Sequence, residues 1–392
     1  MNLLTFTTLY PDAVRARHGI FVETRLRHLV STGEAKSVVV APVPWFPFRH
    51  RRFGEYASLA RVSHEEVRHG VRIMHPRYFL LPRIGMTSAP FFLALGAYST
   101  IRRLLREGYV FDAIDAHYFY PDGVAAILLG YWFEKPVVIT ARGTDINLIP
   151  RYRLPRAMIQ WAAARASRVV TVCEALRSAL IELGAAPEKV LTLRNGVDLK
   201  RFAPVDRAGS RARLGIKRTT LLSVGHLIER KGHHLVIEAL AEMPDIDLII
   251  VGDGEEDTSL RMLADRLGVS ERVRFAGAIA QEELKEYYSA ADVLVLASSR
   301  EGWANVLLEA MACGTPVVAT RTWGTPEVVT RPEAGILMDD RSPAAIIEGV
   351  RKLLDAYPDR HLVRRYAENF GWGPTTQGQL ALFRDVVTAK ER

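Results

Sequence analysis

The stretch "SSREGWANVLLEAMACGTPVVAT", Ser298 to Thr320, decides the fold. It opens as a loop, runs into an apolar helical segment, and ends in a β-branched run introduced by Gly314-Thr315-Pro316. An uninterrupted apolar strand, "DVLVLASS" (292–299), leads into it. Strand, loop, helix and strand in this order are the pattern of a parallel sheet covered on both faces.

The same alternation extends upstream. "TLLSVG" (220–225), "IDLIIVGDG" (246–254) and "VRFAGAI" (273–279) read as strands. "HLVIEALAEM", "DTSLRMLADRLG" (257–268) and "QEELKEYYSAA" (281–291) carry helical periodicity between them. The first half repeats this with "NLLTFTT", "SVVVAPV", "FDAIDAH", "KPVVITARG" and "SRVVTVCEA". A chain of 392 residues exceeds the size of one ordinary core, so the expectation is α/β with two doubly wound, Rossmann-like domains. The change-over is expected just after "RNGVDLKRFAP" (194–204), giving domains 1–204 and 205–371. Ligands of open parallel sheets bind beyond the strands' carboxyl ends, so the chemistry is expected in a cleft where the two domains face each other.

Composition removes several function classes. Hydrophobic residues make up 48% and charged residues 24%, and the two cysteines, Cys173 and Cys313, sit in apolar segments. A disulfide scaffold and a cysteine metal site are therefore not expected, and a reducing compartment is. The N-terminus reads as a strand and turn rather than an export signal. The uncharged run "IGMTSAPFFLALGAYSTI" (84–101) is too short in its apolar centre for a membrane span and reads as a core helix. A soluble, cytoplasmic protein is expected. Residues 1–200 hold 27 Lys+Arg against 16 Asp+Glu, and the remainder 25 against 28, within an overall +8. The basic half either meets something anionic or is merely a solvated surface. Serine-elbow, phosphate-loop, metal-pair and nucleic-acid motifs are absent, and no metal, cofactor or nucleic-acid partner is expected.

Within the opening stretch, Glu301 follows a strand and Glu309 lies within two turns of the expected helix start at Trp303 to Asn305. A helix start offers unpaired N–H groups and a positive dipole end, a seat for phosphate. Two acids flanking that seat could hold hydroxyls on either side of a diphosphate. Two solvated carboxylates would have the same spacing. In "SVGHLIERKGHH", Arg230 and Lys231 follow another strand and could neutralise a leaving diphosphate, with Gly225 and Gly232 admitting close backbone. "VGDGEE" lacks the third glycine of a dinucleotide fingerprint. In the first half, His117 ends a strand and is expected to face the cleft, Arg142-Gly143-Thr144-Asp145 ends another, and Gly19 opens the helix after the first. Each could equally be a turn or a cap; their shared place at strand ends is what a purely structural role does not explain.

"NGVDLKRFAP", "SVGHLIERKG", "VGDGEE", "VRFAGAI" and the Ser298–Val329 segment, in this order, resemble the retaining glycosyltransferases of family four, with the GT-B fold. The resemblance implies sugar transfer from a nucleotide-diphosphate donor to an acceptor hydroxyl, with retention and without a metal. It implies that Glu301 holds donor-sugar hydroxyls and Glu309 the ribose. Backbone of Gly302, Trp303, Ala304, Asn305 and Val306 would bind the diphosphate, and Lys231 with Arg230 would offset its charge. Backbone of Gly277, Ala278 and Ile279 would meet the base. His117 would face the donor sugar, and Gly19 would let its loop approach donor or acceptor. The segment "FGWGPTTQGQLALFRDVV" resembles the family's last helix, which crosses back to the first domain, here 372–392.

Several positions depart from the family's usual pattern: His226 stands for an Arg, Arg142 for a His before Gly143, and Trp303-Ala304-Asn305 for Phe-Gly. These variants resemble the bacterial surface-polysaccharide subgroup, including teichuronic acid transferases, which implies a lipid-linked or polysaccharide acceptor. A nucleotide-sugar 2-epimerase and an inactive nucleotide-sugar-binding protein are the rival readings. Between Trp45 and Arg83, eight Arg and three Glu interleave with Trp45, Phe46, Phe48, Phe53, Tyr56, Tyr78 and Phe79. That mixture suits peripheral contact with an anionic membrane face.

Overall fold

The computed structural model describes residues 1–48, 50, 54–80 and 85–391. The chain forms two compact units, one of Met1–Asn195 with Gly373–Arg392 and one of Gly196–Trp372. The division falls inside the Asn-Gly connector rather than after it.

The first unit contains β1 (Asn2–Phe6), β2 (Lys36–Val40), β3 (Val43–Pro44), β4 (Glu65–Arg68), β5 (Val71–Met74), β6 (Arg77–Tyr78), β7 (Ala113–His117), β8 (Val137–Ala141), β9 (Arg168–Thr171) and β10 (Val190–Thr192). Eight of them form one sheet in the order β10-β9-β8-β7-β1-β2-β5-β4. Its pairings are parallel except at β4–β5, a hairpin absent from the sequence-based expectation. His69 and Gly70 both take positive φ there, the geometry of a tight primed turn. β7 and β8 are buried along their whole length; β8 reads as a near-continuous apolar run for that reason, whereas β7 buries Asp115 and His117 as well. The last helix, Gly373–Glu391, supplies Leu380, Leu382, Phe383 and Val386 to a core with Leu3, Leu29, Ala113, Val138 and Val170.

The second unit contains β11 (Thr219–Val224), β12 (Ile246–Val251), β13 (Val273–Gly277), β14 (Val293–Leu296), β15 (Val317–Thr320) and β16 (Gly335–Met338). All six are parallel, in the order β13-β12-β11-β14-β15-β16. The helix expected over 281–291 spans Leu284–Ala290, because residues 281–283 form a turn before it.

The segment expected as a core helix forms Gly85–Arg106, but only one side is core. Ala89, Leu93, Ala97, Ile101 and Leu104 are buried, whereas Met86, Phe91, Leu95 and Tyr98 are exposed. Among the described residues, no helix is long and apolar enough to cross a membrane.

Candidate functional site

Strand order places the site in the second unit. β11 comes first in this unit's sequence, and the order of strands reverses between β11 and β14, the topological switch point. The loops leaving these parallel neighbours are tied together. Ser299 donates its N–H to the Arg230 carbonyl at 2.8 Å, and Arg230 Nη1 donates to the Arg300 carbonyl at 2.8 Å. Gly232 lies so close to the end of β14 that a Cβ would fall 2.1 Å from the Ala297 oxygen, with φ at 74°. Gly252 is likewise pressed on the Gly225 carbonyl, where a Cβ would sit 1.9 Å away. The glycines of "VGDGEE" thus serve backbone packing between adjacent loops.

This clamping brings Lys231 to Glu301. Lys231 Nζ donates to Glu301 Oε1 at 2.6 Å, Ser298 Oγ donates to the same oxygen at 2.7 Å, and Arg230 Nη1 lies 3.7 Å from it. Burial alone would raise the Glu301 pKa; Lys231, then Arg230, outweigh it and hold the carboxyl below its usual range. Glu301 is therefore not a solvated surface acid: its side chain is 8% exposed and Lys231's is 14%. Gly225 stands against the aliphatic stem of Lys231, a Cβ there meeting Cε at 3.4 Å.

The helix begins at Asn305 and runs to Ala312, as the anion-seat reading requires. Not every amide expected for the diphosphate is available, however. The Asn305 N–H already donates to the Trp303 carbonyl at 3.1 Å. Trp303 and Ala304 are buried, and Gly302, Asn305 and Val306 are half-buried. Glu309, one turn further, accepts from the Tyr288 hydroxyl at 2.8 Å. Burial raises its pKa to about 7, with the Tyr288 hydrogen bond and Arg201 opposing. Like Glu301, it is not a solvated carboxylate. Ala278 is exposed, while Gly277 and Ile279 are half-buried; Gly277 has φ at 69°, and its carbonyl accepts from the Gly252 N–H at 2.8 Å. His226 is exposed, 3.9 Å from Asp253.

In the first unit the order reverses between β1 and β7. Gly19 opens the helix after β1 with φ at 68°; a Cβ there would lie 2.3 Å from the Leu9 carbonyl, so the helix start packs directly on the β1 loop. His117 ends β7 but does not present an open ring, contrary to the expectation. It is 1% exposed. Arg142 Nη2 lies 2.7 Å from Nδ1, and Asp115 Oδ2 lies 3.1 Å from Nε2. An arginine can only donate, so Nδ1 accepts and the ring proton sits on Nε2. Burial pushes the His117 pKa down to about 4, which keeps the ring neutral near pH 7. Arg142 Nη1 and Arg25 Nη1 both reach Asn195 Oδ1, at 3.2 and 3.4 Å. Burial lowers the pKa of Arg142 to about 9 and that of Arg25 to about 10. Asp145 accepts from the N–H groups of Phe119, Arg142 and Gly143, so the "RGTD" loop is a backbone clip.

Two family models divide the chain between them: "Glycosyltransferase Family 4" over residues 19–201 and "Glycosyl transferases group 1" over 206–370. A D-inositol 3-phosphate glycosyltransferase of Acidothermus cellulolyticus is 36% identical over 317 residues, covering 73% of this chain and 70% of that protein. The chain belongs to the family 4 glycosyltransferases. A Bacillus subtilis glycosyltransferase assigned to teichuronic acid biosynthesis, TuaC, is 26% identical over 90% of this chain and 89% of its own. Among solved structures, sucrose-phosphate synthase of Thermosynechococcus elongatus aligns with a TM-score of 0.80 at 20% identity, over 99% of both chains. Anabaena HepE with UDP-glucose aligns at 0.74 and 21% identity, over 98% of this chain and 99% of that one. The fold is GT-B.

The sequence pattern of this glycosyltransferase did not single out Ser298, Tyr288, Asp115, Arg25 or Asn195. Asp115 was within reach, since residues two apart on a strand share a face. Tyr288 lies on another helix, and nothing local marks it.

Proposed function

We propose that this glycosyltransferase moves a sugar from a nucleotide-diphosphate-sugar donor, with retention and without a metal, to a lipid-linked or polysaccharide acceptor in cell-surface polysaccharide assembly. The observation that carries the reading is the Lys231–Glu301 pair at a switch point, directly before the helix that bears Glu309. As the anomeric carbon–oxygen bond breaks, negative charge gathers on the departing diphosphate. Lys231 has three donors and spends one on Glu301, so it can stabilise that charge from a fixed position. Arg230 adds a second cation. Glu301, held ionised, accepts donor-sugar hydroxyls, and Glu309 accepts those of the ribose. For His117 to meet a ligand, its buried ring must first be uncovered. The HepE complexes with UDP and UDP-glucose support the donor class, and the likeness to TuaC supports the acceptor class.

Peripheral contact with an anionic membrane belongs to the same proposal. Trp45, Phe48 and Phe79 are exposed, and Phe79 stacks edge-on against Phe92 at 5.8 Å, joining this group to the outer face of Gly85–Arg106. That face carries exposed Phe91 and Leu95, followed by Arg102, Arg103 and Arg106. Tyr78 does not contribute, being buried; Phe53, the Tyr56 side chain and Arg83 fall outside the described residues.

A thermal-shift screen against nucleotide-diphosphate sugars tests the donor, since a ligand of the folded state raises its apparent stability. A hit should support transfer in the presence of a chelator, with the product anomer matching the donor's by NMR. A panel in which no nucleotide sugar shifts the transition would contradict the proposal.

A further inference from the structure

At the amino-terminal ends of β8 and β9, the first unit holds a cavity of about 480 Å³, within the range of about 300–1,000 Å³ typical of small-ligand sites. Ile127, Val137 and Val386 form an apolar floor, and the last helix closes one side. Three cations, Lys135, Arg165 and Arg168, line it, against the carboxylates of Glu134 and Asp385. Among the described residues, neither Arg165 nor Arg168 is ion-paired: Arg168 Nη1 donates to the Ser167 carbonyl at 3.0 Å, and Arg165 Nη1 reaches the Trp161 carbonyl at 3.5 Å. Tyr131, also lining the cavity, is 59% exposed. Its ring lies 6.5 Å from that of Trp161, over which the Arg165 guanidinium sits at 4.9 Å. An aromatic face, two arginines without carboxylate partners and flanking acceptors thus converge on one opening.

We propose that this cavity binds an acidic saccharide, a sugar ring bearing a carboxylate or phosphate. The Tyr131 ring offers a flat apolar body and a polar tip, which suits the C–H face and hydroxyls of a pyranose. Arg165 and Arg168 present planar forks that match carboxylate or phosphate oxygens in pairs. Glu134 and Asp385 can accept ring hydroxyls. The saccharide held here is not the reacting one. β8 runs from Val137 in this cavity to Ala141 beside Arg142, and four residue steps of roughly 3.3 Å separate the ends by about 13 Å. The ligand is either a remote part of an acidic glycan chain or a free sugar phosphate, and this binding does not depend on the donor assignment above.

The test is titration calorimetry on the full chain with four probes: a hyaluronan tetrasaccharide, glucose 1-phosphate, maltotetraose and inorganic phosphate. The acidic saccharides should bind at least tenfold tighter than maltotetraose. Arg165→Ala with Arg168→Ala should remove that advantage, and Tyr131→Ala should weaken both saccharide types. All these side chains are exposed, so melting temperatures should not move. Glu309→Ala should leave the acidic-saccharide titration unchanged, which separates this cavity from the donor site. A tetrasaccharide tighter than glucose 1-phosphate identifies a glycan chain; the reverse identifies a free sugar phosphate. Equal binding of maltotetraose, inorganic phosphate as tight as either acidic sugar, or indifference to the double arginine variant would overturn the proposal.

Discussion

The two switch points of this chain carry polar clusters of opposite character. At β11/β14, one lysine faces one carboxylate, a second cation stands 3.7 Å away, and both partners keep some contact with solvent. At β1/β7, Asp115 lies in the field of two buried arginines and a buried histidine, and His117 Nδ1 is taken by Arg142. The same topology therefore yields one pair ready to exchange partners with a ligand and one cluster that must first be disassembled. The first arrangement suits chemistry, and the second holds its strands in place. A switch point marks where a site can form; the balance of charge and burial decides how readily it acts.

The sharpest way to break this comparison is Asp115→Asn. Removing the carboxylate beside two buried guanidiniums should destabilise the first unit by about 3–5 kcal/mol, read as a fall in melting temperature on the order of 10 °C. An unchanged melting temperature would show that the cluster is not held by charge. Next in size, Lys231→Ala should slow transfer by roughly 10²–10³-fold while changing donor affinity far less, in line with loss of a single donor aimed at developing charge. Glu309→Ala should do the reverse, weakening donor binding by on the order of tenfold with a smaller effect on the bound-state rate. A pH series separates the clusters further. The His117 pKa is depressed to about 4 when folded, against about 6.5 unfolded. Between these values the unfolded chain binds the extra proton, so its contribution to stability is full above about 6.5 and drains away as pH falls toward 4. His117→Gln should flatten that part of the stability profile. The smallest effect concerns the membrane: Phe91→Ser with Leu95→Ser should lower recovery on anionic vesicles by a few-fold at unchanged melting temperature, and equal recovery on neutral vesicles would contradict the proposed contact.

Much of the second unit was legible because its strands are continuous apolar runs and its loops are punctuated by glycine. Glu301, Lys231 and Arg230 could be named from their positions after "DVLVLASS" and "TLLSVG". Their direct pairing could not, since it depends on β11 lying beside β14, a long-range choice that no local pattern encodes. The raised pKa of Glu309 was hidden for the same reason: it comes from burial, and the Tyr288 hydroxyl that partly opposes it arrives from another helix. In the first unit, the β4–β5 hairpin was obscured because β4, "EEVR", is exposed and charged and lacks the apolar alternation that marks a half-buried strand. The outward apolar face of Gly85–Arg106 was read as core because hydrophobicity alone does not say which side of a helix is covered. The placement of His117 at a strand end was correct in sequence terms, yet its ring is capped by Arg142 from the end of β8, which is itself held on Asn195, distant in the chain.

The central claim is that Lys231, paired to Glu301, stabilises a departing diphosphate rather than merely holding the loop. Single-turnover transfer and donor titration should be measured together for Lys231→Ala, using the nucleotide sugar identified by thermal shift. The account predicts a rate lowered by roughly 10²-fold or more at a donor dissociation constant within a few-fold of the unmodified protein. A rate unchanged at saturating donor, with affinity lost instead, would contradict it.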